Sequence, residues 1–138
     1  MAKTLEELKK EKSRIEDQIY SIRKKQNNLS DELDHVKAAK KEMVDIVEEA
    51  IYLQERVGRP ALDYLNRFWD SKRSRFFLNE VYEYNDNEIG KYINQLRYIV
   101  VILGTEVERI NSKIKKNKSN LSTLNVDLNS IIYKIAHY

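Results

Sequence analysis

Two histidines, His35 and His137, are the side chains best suited to acid–base catalysis near neutral pH or to metal binding. They lie far apart in the chain and the sequence contains no cysteine, so a zinc site is not expected. The 138 residues also contain no phosphate-binding loop, dinucleotide fingerprint or nucleophile elbow. We therefore predict a protein that is not an enzyme and that uses no metal and no cofactor.

A basic run has the composition of a phosphate-binding stretch and consists of Lys113, Lys115, Lys116 and Lys118. It covers less than two helical turns, projects from more than one helix face and has no neighbouring aromatic residues that would stack on bases. The net charge of the chain is only +3. A solvated helix face explains the run, and we predict no nucleic-acid partner.

The single tryptophan, Trp69, lies at the middle of the chain and is followed by Ser71, Ser74 and Phe77. Small residues at the second and fifth positions after the tryptophan would let two helices approach closely at a tight turn. The rings at positions 69 and 77 would anchor that turn. Two interpretations of these four residues stay open: packing within the turn, or an anchor for a partner protein.

The elements that position these residues are predicted to be long helices, because three Gly and one Pro are too few for the turns of a β protein of this length. Two apolar seams advance in alternating steps of four and three residues. The first contains Leu8, Lys12, Ile15, Ile19, Ile22, Gln26, Leu29, Leu33, Val36, Lys40, Met43, Val47, Ala50, Gln54 and Val57. The second contains Ile89, Ile93, Leu96, Val100, Leu103, Val107, Ile110, Ile114, Asn117, Leu121, Leu124, Leu128, Ile131, Ile135 and Tyr138.

The polar residues of the first seam, Lys12, Gln26, Lys40 and Gln54, recur every fourteen residues and are expected to restrict the pairing register. The two seams are equally long, and a parallel pairing would need a nearly extended connection between them. We therefore predict an all-α fold: a long antiparallel helical hairpin with a coiled-coil-like stem, in a single elongated domain over residues 1–138.

The connection between the seams is predicted to form a short extra helix at the turn end. Gly58 suits a left-handed helix terminator, and Pro60 suits the first position of a new helix. Asn85 with Glu88 three residues later resembles a capping box, at which the last helix would begin. The predicted elements are a helix over about 4–57, a short helix and turn over about 60–85, and a helix over about 86–137.

Near the turn, both long helices become apolar on more than one face. Val44, Ile46, Ile51 and Leu53 lie off the first seam, and Ile99, Val101 and Ile102 lie off the second. A two-stranded coiled coil would leave this surface exposed, so we expect the helix at 60–70 or a partner to cover it. The candidate partner-binding residues are Val44, Ile46, Ile99, Val101 and Ile102.

The order of Trp69, Ser71, Ser74 and Phe77 within a two-helix layout resembles the WxG-like family of helical hairpins associated with type VII secretion. Ser71 stands where that family has glycine, and the arms are longer. Both departures are more similar to the small helical companion proteins of LXG toxins in type VIIb loci. The resemblance implies a targeting or chaperone-like accessory that binds the helical N-terminal domain of an LXG toxin, a second small companion, or both.

The predicted function is therefore that of a helical partner protein, and the alternative is a structural coiled-coil scaffold or homo-oligomeric spacer without cargo. A homodimer stays open under either. No apolar run approaches the roughly 18 residues of a membrane span, and the amino terminus lacks the apolar core of a signal peptide. We expect a cytoplasmic protein with no membrane span, and co-export with its partner stays open.

Overall fold

The computed structural model describes residues 3–68 and 72–138, and these residues are almost entirely helical. The first arm consists of α1 (Leu5–Tyr52), a first π-helical segment (Leu53–Gly58) and α2 (Arg59–Phe68). The second arm consists of α3 (Lys72–Glu83), a second π-helical segment (Tyr84–Glu88) and α4 (Ile89–Ala136). The described residues contain no strand, and the predicted all-α helical hairpin is confirmed.

The chain divides into two compact units, to which α1 and α4 each contribute. The terminal unit comprises Met1–His35 and Glu106–Tyr138, and the central unit comprises Val36–Thr105. Within each unit the two arms run antiparallel. Gln26 contacts Ile114 in the terminal unit, and Gln54 contacts Asn85 in the central unit.

The two predicted seams form the cores of both units. In the terminal unit, Ile15, Ile19 and Ile131 are buried together, and Ile110 is fully buried. In the central unit, the buried cluster consists of Val47, Ile93 and Leu96. All the other seam residues are at least half-buried except the last of each seam, Val57 and Tyr138, which are exposed.

Helix α1 begins with a capping box that differs in position from the predicted one. The hydroxyl of Thr4 accepts a hydrogen bond from the backbone N–H of Glu7 (3.2 Å). The Glu7 carboxylate in turn accepts one from the Thr4 N–H (3.4 Å). The box predicted at Asn85 and Glu88 is wrong, because residues 84–88 form the second π segment and Ile89 continues with helical backbone angles.

The predicted helix end at Gly58 is also wrong. No described glycine has a positive φ, and Arg59 continues the helix with its N–H bonded to the Gln54 carbonyl. Proline clashes with the carbonyl four residues before it, which here belongs to Arg56. The wider π turn directly before Pro60, in which hydrogen bonds reach back five residues, relieves that conflict. The helix end that the local sequence predicts is therefore replaced by a π turn within a continuous helix.

Helix α2 extends the first arm and packs beside α3. It does not fold back along the hairpin stem. Arg59 pairs with Asp86, and the hydroxyl of Tyr82 donates to the Asp63 carboxylate (2.6 Å). Leu62 and Leu78 are buried in this part of the central unit. The expectation that this helix covers the apolar residues near 99–102 is therefore wrong, because α2 packs against α3 and the first π segment, and Ile99, Val101 and Ile102 are exposed.

Candidate functional site

The four residues of the tryptophan motif are only partly described. Trp69 and Ser71 lie outside the described residues. Ser74 is buried in the first turn of α3, with only 1% of its surface exposed, whereas the ring of Phe77 is 50% exposed. The structure thus places the second small residue of the motif inside the helix packing and its final aromatic residue at the surface.

The apolar residues predicted to bind a partner lie at the surface of the central unit. Ile46, Ile99 and Ile102 are exposed to 46%, 39% and 48%, and Val101 is exposed to 63%. Val44 is half-buried. Large aliphatic side chains exposed next to one another are uncommon on monomeric proteins and mark contact surfaces.

These five candidate residues do not share one face. With the seam written as heptad positions a and d, Val47 and Val100 occupy a, so Ile46 and Ile99 both occupy g. Ile102 follows Ile99 by one turn on the same face, whereas Val101 is about 200° away around the helix. Val44 occupies e, on the other side of the seam from Ile46. The structure therefore groups Ile46, Ile99 and Ile102 and separates them from Val44 and Val101.

The terminal unit shows directly that g positions of the two arms face the same side. Glu11 and Gln18 of α1 line one groove together with Asp127 and Lys134 of α4, and all four occupy g. Residues at e line a different groove, which includes Glu16, Arg23 and Asn125. By the same geometry, the g positions of the central unit place Ile46 beside Ile99 and Leu53 beside Tyr92.

A polar junction lies where the two π segments face each other. The side-chain amide of Gln54 donates to the Asn85 carbonyl (2.8 Å). Asn85 itself is buried, with 6% of its surface exposed. A Cβ atom at Gly58 would lie 2.8 Å from the Asn85 side-chain oxygen, so only glycine fits there without displacement. π segments inside α-helices are frequent at functional sites.

Charged and aromatic groups surround this junction on its exposed side. The Arg59 guanidinium lies 4.8 Å from the centroid of the Tyr82 ring and pairs with Asp86. The hydrogen bond that Arg59 donates to Asp86 raises the pKa of Arg59, and the hydrogen bond that Tyr82 donates to Asp63 raises the pKa of the Tyr82 hydroxyl. These contacts tie α2 to the opposite arm at the helix surface.

The three glycines all lie opposite polar side chains of the other arm, a relation that the sequence analysis missed. Gly90 lies opposite Gln54, and Gly104 lies opposite Lys40. The sequence contains a signal for both pairs: the two glycines are fourteen residues apart, as are the two polar seam residues. In an antiparallel pairing, equal spacing on both arms brings the two pairs into register together. At Gly58 the missing side chain makes room for Asn85, whereas a Cβ at Gly90 or Gly104 would make only an ordinary contact with the polar side chain opposite.

Gln26 is a seam residue whose polarity costs stability. Its side-chain amide N–H donates to the Ile114 carbonyl (3.1 Å), but its oxygen Oε1 is buried and has no hydrogen-bond partner among the described residues. We expect Gln26→Leu to raise the free energy of unfolding by about 1 kcal/mol, because it replaces an unsatisfied acceptor by apolar surface. Urea unfolding followed by circular dichroism measures this.

The matched variant Gln26→Ala removes the same amide without filling the space, so it should be less stable than Gln26→Leu. If the leucine variant is less stable than the wild type, the stabilisation from the hydrogen bond to Ile114 is larger than the cost of burying the unpaired Oε1 oxygen.

Within residues 3–68 and 72–138, no group of three or more acidic or histidine side chains is placed to hold a metal ion. None of the helices in the described part of the chain has an apolar stretch that would cross a bilayer.

Comparisons with known proteins add no relative. No protein-family model, no curated protein and no solved structure matches this chain.

Proposed function

We propose that this chain is a non-enzymatic helical partner protein that binds another helical protein through the exposed apolar surface of its central unit. The observation that carries the proposal is the run from Tyr98 to Leu103, in which every residue is apolar. Val100 and Leu103 belong to the seam, and the others project outward. A helix that is apolar all round is stable when other elements cover it, and a partner supplies that cover.

The resemblance to LXG companions supports a more specific version of this proposal. In it, the chain is a targeting or chaperone-like accessory that binds the helical N-terminal domain of an LXG toxin for type VIIb secretion. It acts in the cytoplasm and leaves with its partner or stays behind.

A second function is favoured by a different observation. The seam is regular over the terminal unit, where Ile15, Ile19 and Ile131 form a continuous buried cluster. Long regular seams are typical of structural coiled coils. In this alternative the chain is a scaffold or homo-oligomeric spacer without cargo, and a second copy covers the exposed residues.

Co-expression with the N-terminal domain of an LXG protein encoded beside this chain tests the specific proposal. We expect a stable complex with the wild type and at least about a tenfold loss of affinity for Ile99→Asp, because a charge would be buried without a partner. The matched control is Val126→Asp, which places the same charge at an apolar residue exposed to 65% in the terminal unit. Its affinity should equal that of the wild type.

Three results separate the proposals. Absence of a complex between the wild-type chain and the LXG domain contradicts the LXG version. A wild-type homodimer that Ile99→Asp converts to a monomer, and that binds no LXG domain, favours the scaffold. Equal binding by Ile99→Asp and Val126→Asp contradicts a role for the central apolar surface in either function.

A further inference from the structure

One face of the central unit combines an apolar strip with a one-sided border of charge. The strip consists of Ile46, Leu53, Tyr92, Ile99 and Ile102, which are all exposed. The first four occupy heptad position g, and Ile102 lies one turn from Ile99. The charged residues around an apolar surface decide what binds there.

The border on α1 is acidic. Glu42 precedes Ile46 by four residues, and Glu49 precedes Leu53 by four, so each carboxylate lies one turn away on the same face as the strip. Asp45 extends the same edge. All three are exposed, and they form no ion pair with any residue that the structure describes. The carboxylates are therefore available to a charged group from outside.

The neighbouring lysines of α1 lie on the opposite side of the helix. Lys40 is half-buried in the seam, with its ammonium group lying toward Gly104, which occupies e. Lys37 also occupies e, and Lys41 occupies b, on the same side. Glu42, Asp45 and Glu49 thus lie away from these lysines, whereas Glu48, at b, lies on the lysine side. Arg56 of the first π segment follows Leu53 by three residues, so this edge of the strip carries three acids and one basic residue.

The border on α4 carries no charge level with those acids. The equivalent positions there are Gln95 and Ile102, both exposed. A second copy of the chain therefore brings no basic residue to Glu42 or Glu49 when α1 faces α4 of the other copy. When the same edges of two copies face each other, the single Arg56 of each copy can pair with at most one of the three acids, and the remaining acids weaken association. Self-association on this face therefore leaves most of these carboxylates without a basic partner in both arrangements.

From this arrangement we infer that the strip is the docking site for an amphipathic helix of a different protein, whose apolar face covers the strip and whose flanking Lys or Arg residues pair with Glu42, Asp45 and Glu49. The inference rests on the proposed function, because it specifies the chemistry of the partner. The helix-in-groove mode supplies apolar contacts at intervals of three and four residues. The acidic edge sets the orientation of that helix and excludes acidic helices.

Two synthetic helical peptides of about three heptads test the inference. Both carry leucine at the apolar positions, and one has Lys whereas the other has Glu at the flanking positions. Fluorescence anisotropy should show the Lys peptide binding at least about tenfold more tightly to the wild-type chain, with the difference shrinking as salt is added. The double variant Glu42→Lys, Glu49→Lys should bind the Glu peptide more tightly.

Two further variants locate the site. Ile99→Asp should abolish binding of the Lys peptide, whereas Val126→Asp, at an exposed apolar position of α4 in the terminal unit, should bind it like the wild type. All the substituted positions are exposed, and circular dichroism of each variant checks that the helices are retained.

Equal affinity for both peptides, or binding of neither, overturns the inference, as does a charge-reversed variant that still prefers the Lys peptide. If the natural partner binds the wild type and the Glu42→Lys, Glu49→Lys variant with equal affinity, the inferred pairing with basic residues is wrong and the proposed function stands. If Ile99→Asp binds both peptide and partner normally, both proposals fail.

Discussion

Replacing Ile110 by aspartate is expected to lower the free energy of unfolding by about 3 to 5 kcal/mol. Ile110 is fully buried in the terminal unit, so the carboxylate would lose its water without gaining a partner. The substitution also removes apolar packing at the position in the second seam that excludes solvent most completely. A loss of this size approaches the total stability of many domains of this length.

Thermal unfolding followed by circular dichroism measures the loss, which corresponds to a decrease in Tm of about 10 °C or more for a chain of this size. The control is again Val126→Asp, which adds the same charge to the same helix at a position exposed to 65%. It should change the free energy of unfolding by less than about 0.5 kcal/mol. Similar Tm values for the two variants would contradict the burial of the second seam at Ile110.

The second large effect is expected at the polar junction. Gly58→Val should lower the free energy of unfolding by about 2 kcal/mol, because its Cβ would lie 2.8 Å from the Asn85 side-chain oxygen and 3.3 Å from the Leu53 carbonyl. Asn85 is buried and has little room to move. Urea unfolding followed by circular dichroism measures this loss.

A second glycine provides the matched control. At Gly104 a Cβ would meet only the Lys40 side chain, at 3.5 Å, which is an ordinary contact. Gly104→Ala should therefore raise the free energy of unfolding by up to about 1 kcal/mol through helix propensity. In the double variant Gly58→Val, Asn85→Ala, the clash is relieved, so the two losses should not add. Additive losses would contradict close packing between Gly58 and Asn85.

The hairpin was predictable because the seams are long and regular, which makes periodicity a stronger signal than any single residue. The seam positions from Leu8 and from Ile89 are buried or half-buried almost throughout. Antiparallel pairing followed from the length of the connection. The exposed residues Ile46, Ile99 and Ile102 were also predictable, since they lie off the seams.

The centre of the chain was not predictable by the same rules, because tertiary contacts override local preferences there. Gly58 and Pro60 locally favour a helix end, but a π turn accommodates both within a continuous helix. Gly58 serves to admit Asn85 from the opposite arm, so its role depends on a residue distant in sequence. The placement of Ile99 and Val101 on two different faces could be assigned only from the observed pairing of the two arms.

Sedimentation equilibrium tests the central claim most directly, because it measures whether the apolar residues of the central unit hold a different protein or a second copy. The wild-type chain is mixed with the N-terminal domain of an LXG protein, and Ile99→Asp and Val126→Asp are measured alongside. We predict a complex containing both proteins for the wild type and for Val126→Asp, and separate components for Ile99→Asp. A homo-oligomer that binds no LXG domain, or a complex that Ile99→Asp leaves intact, would contradict the claim.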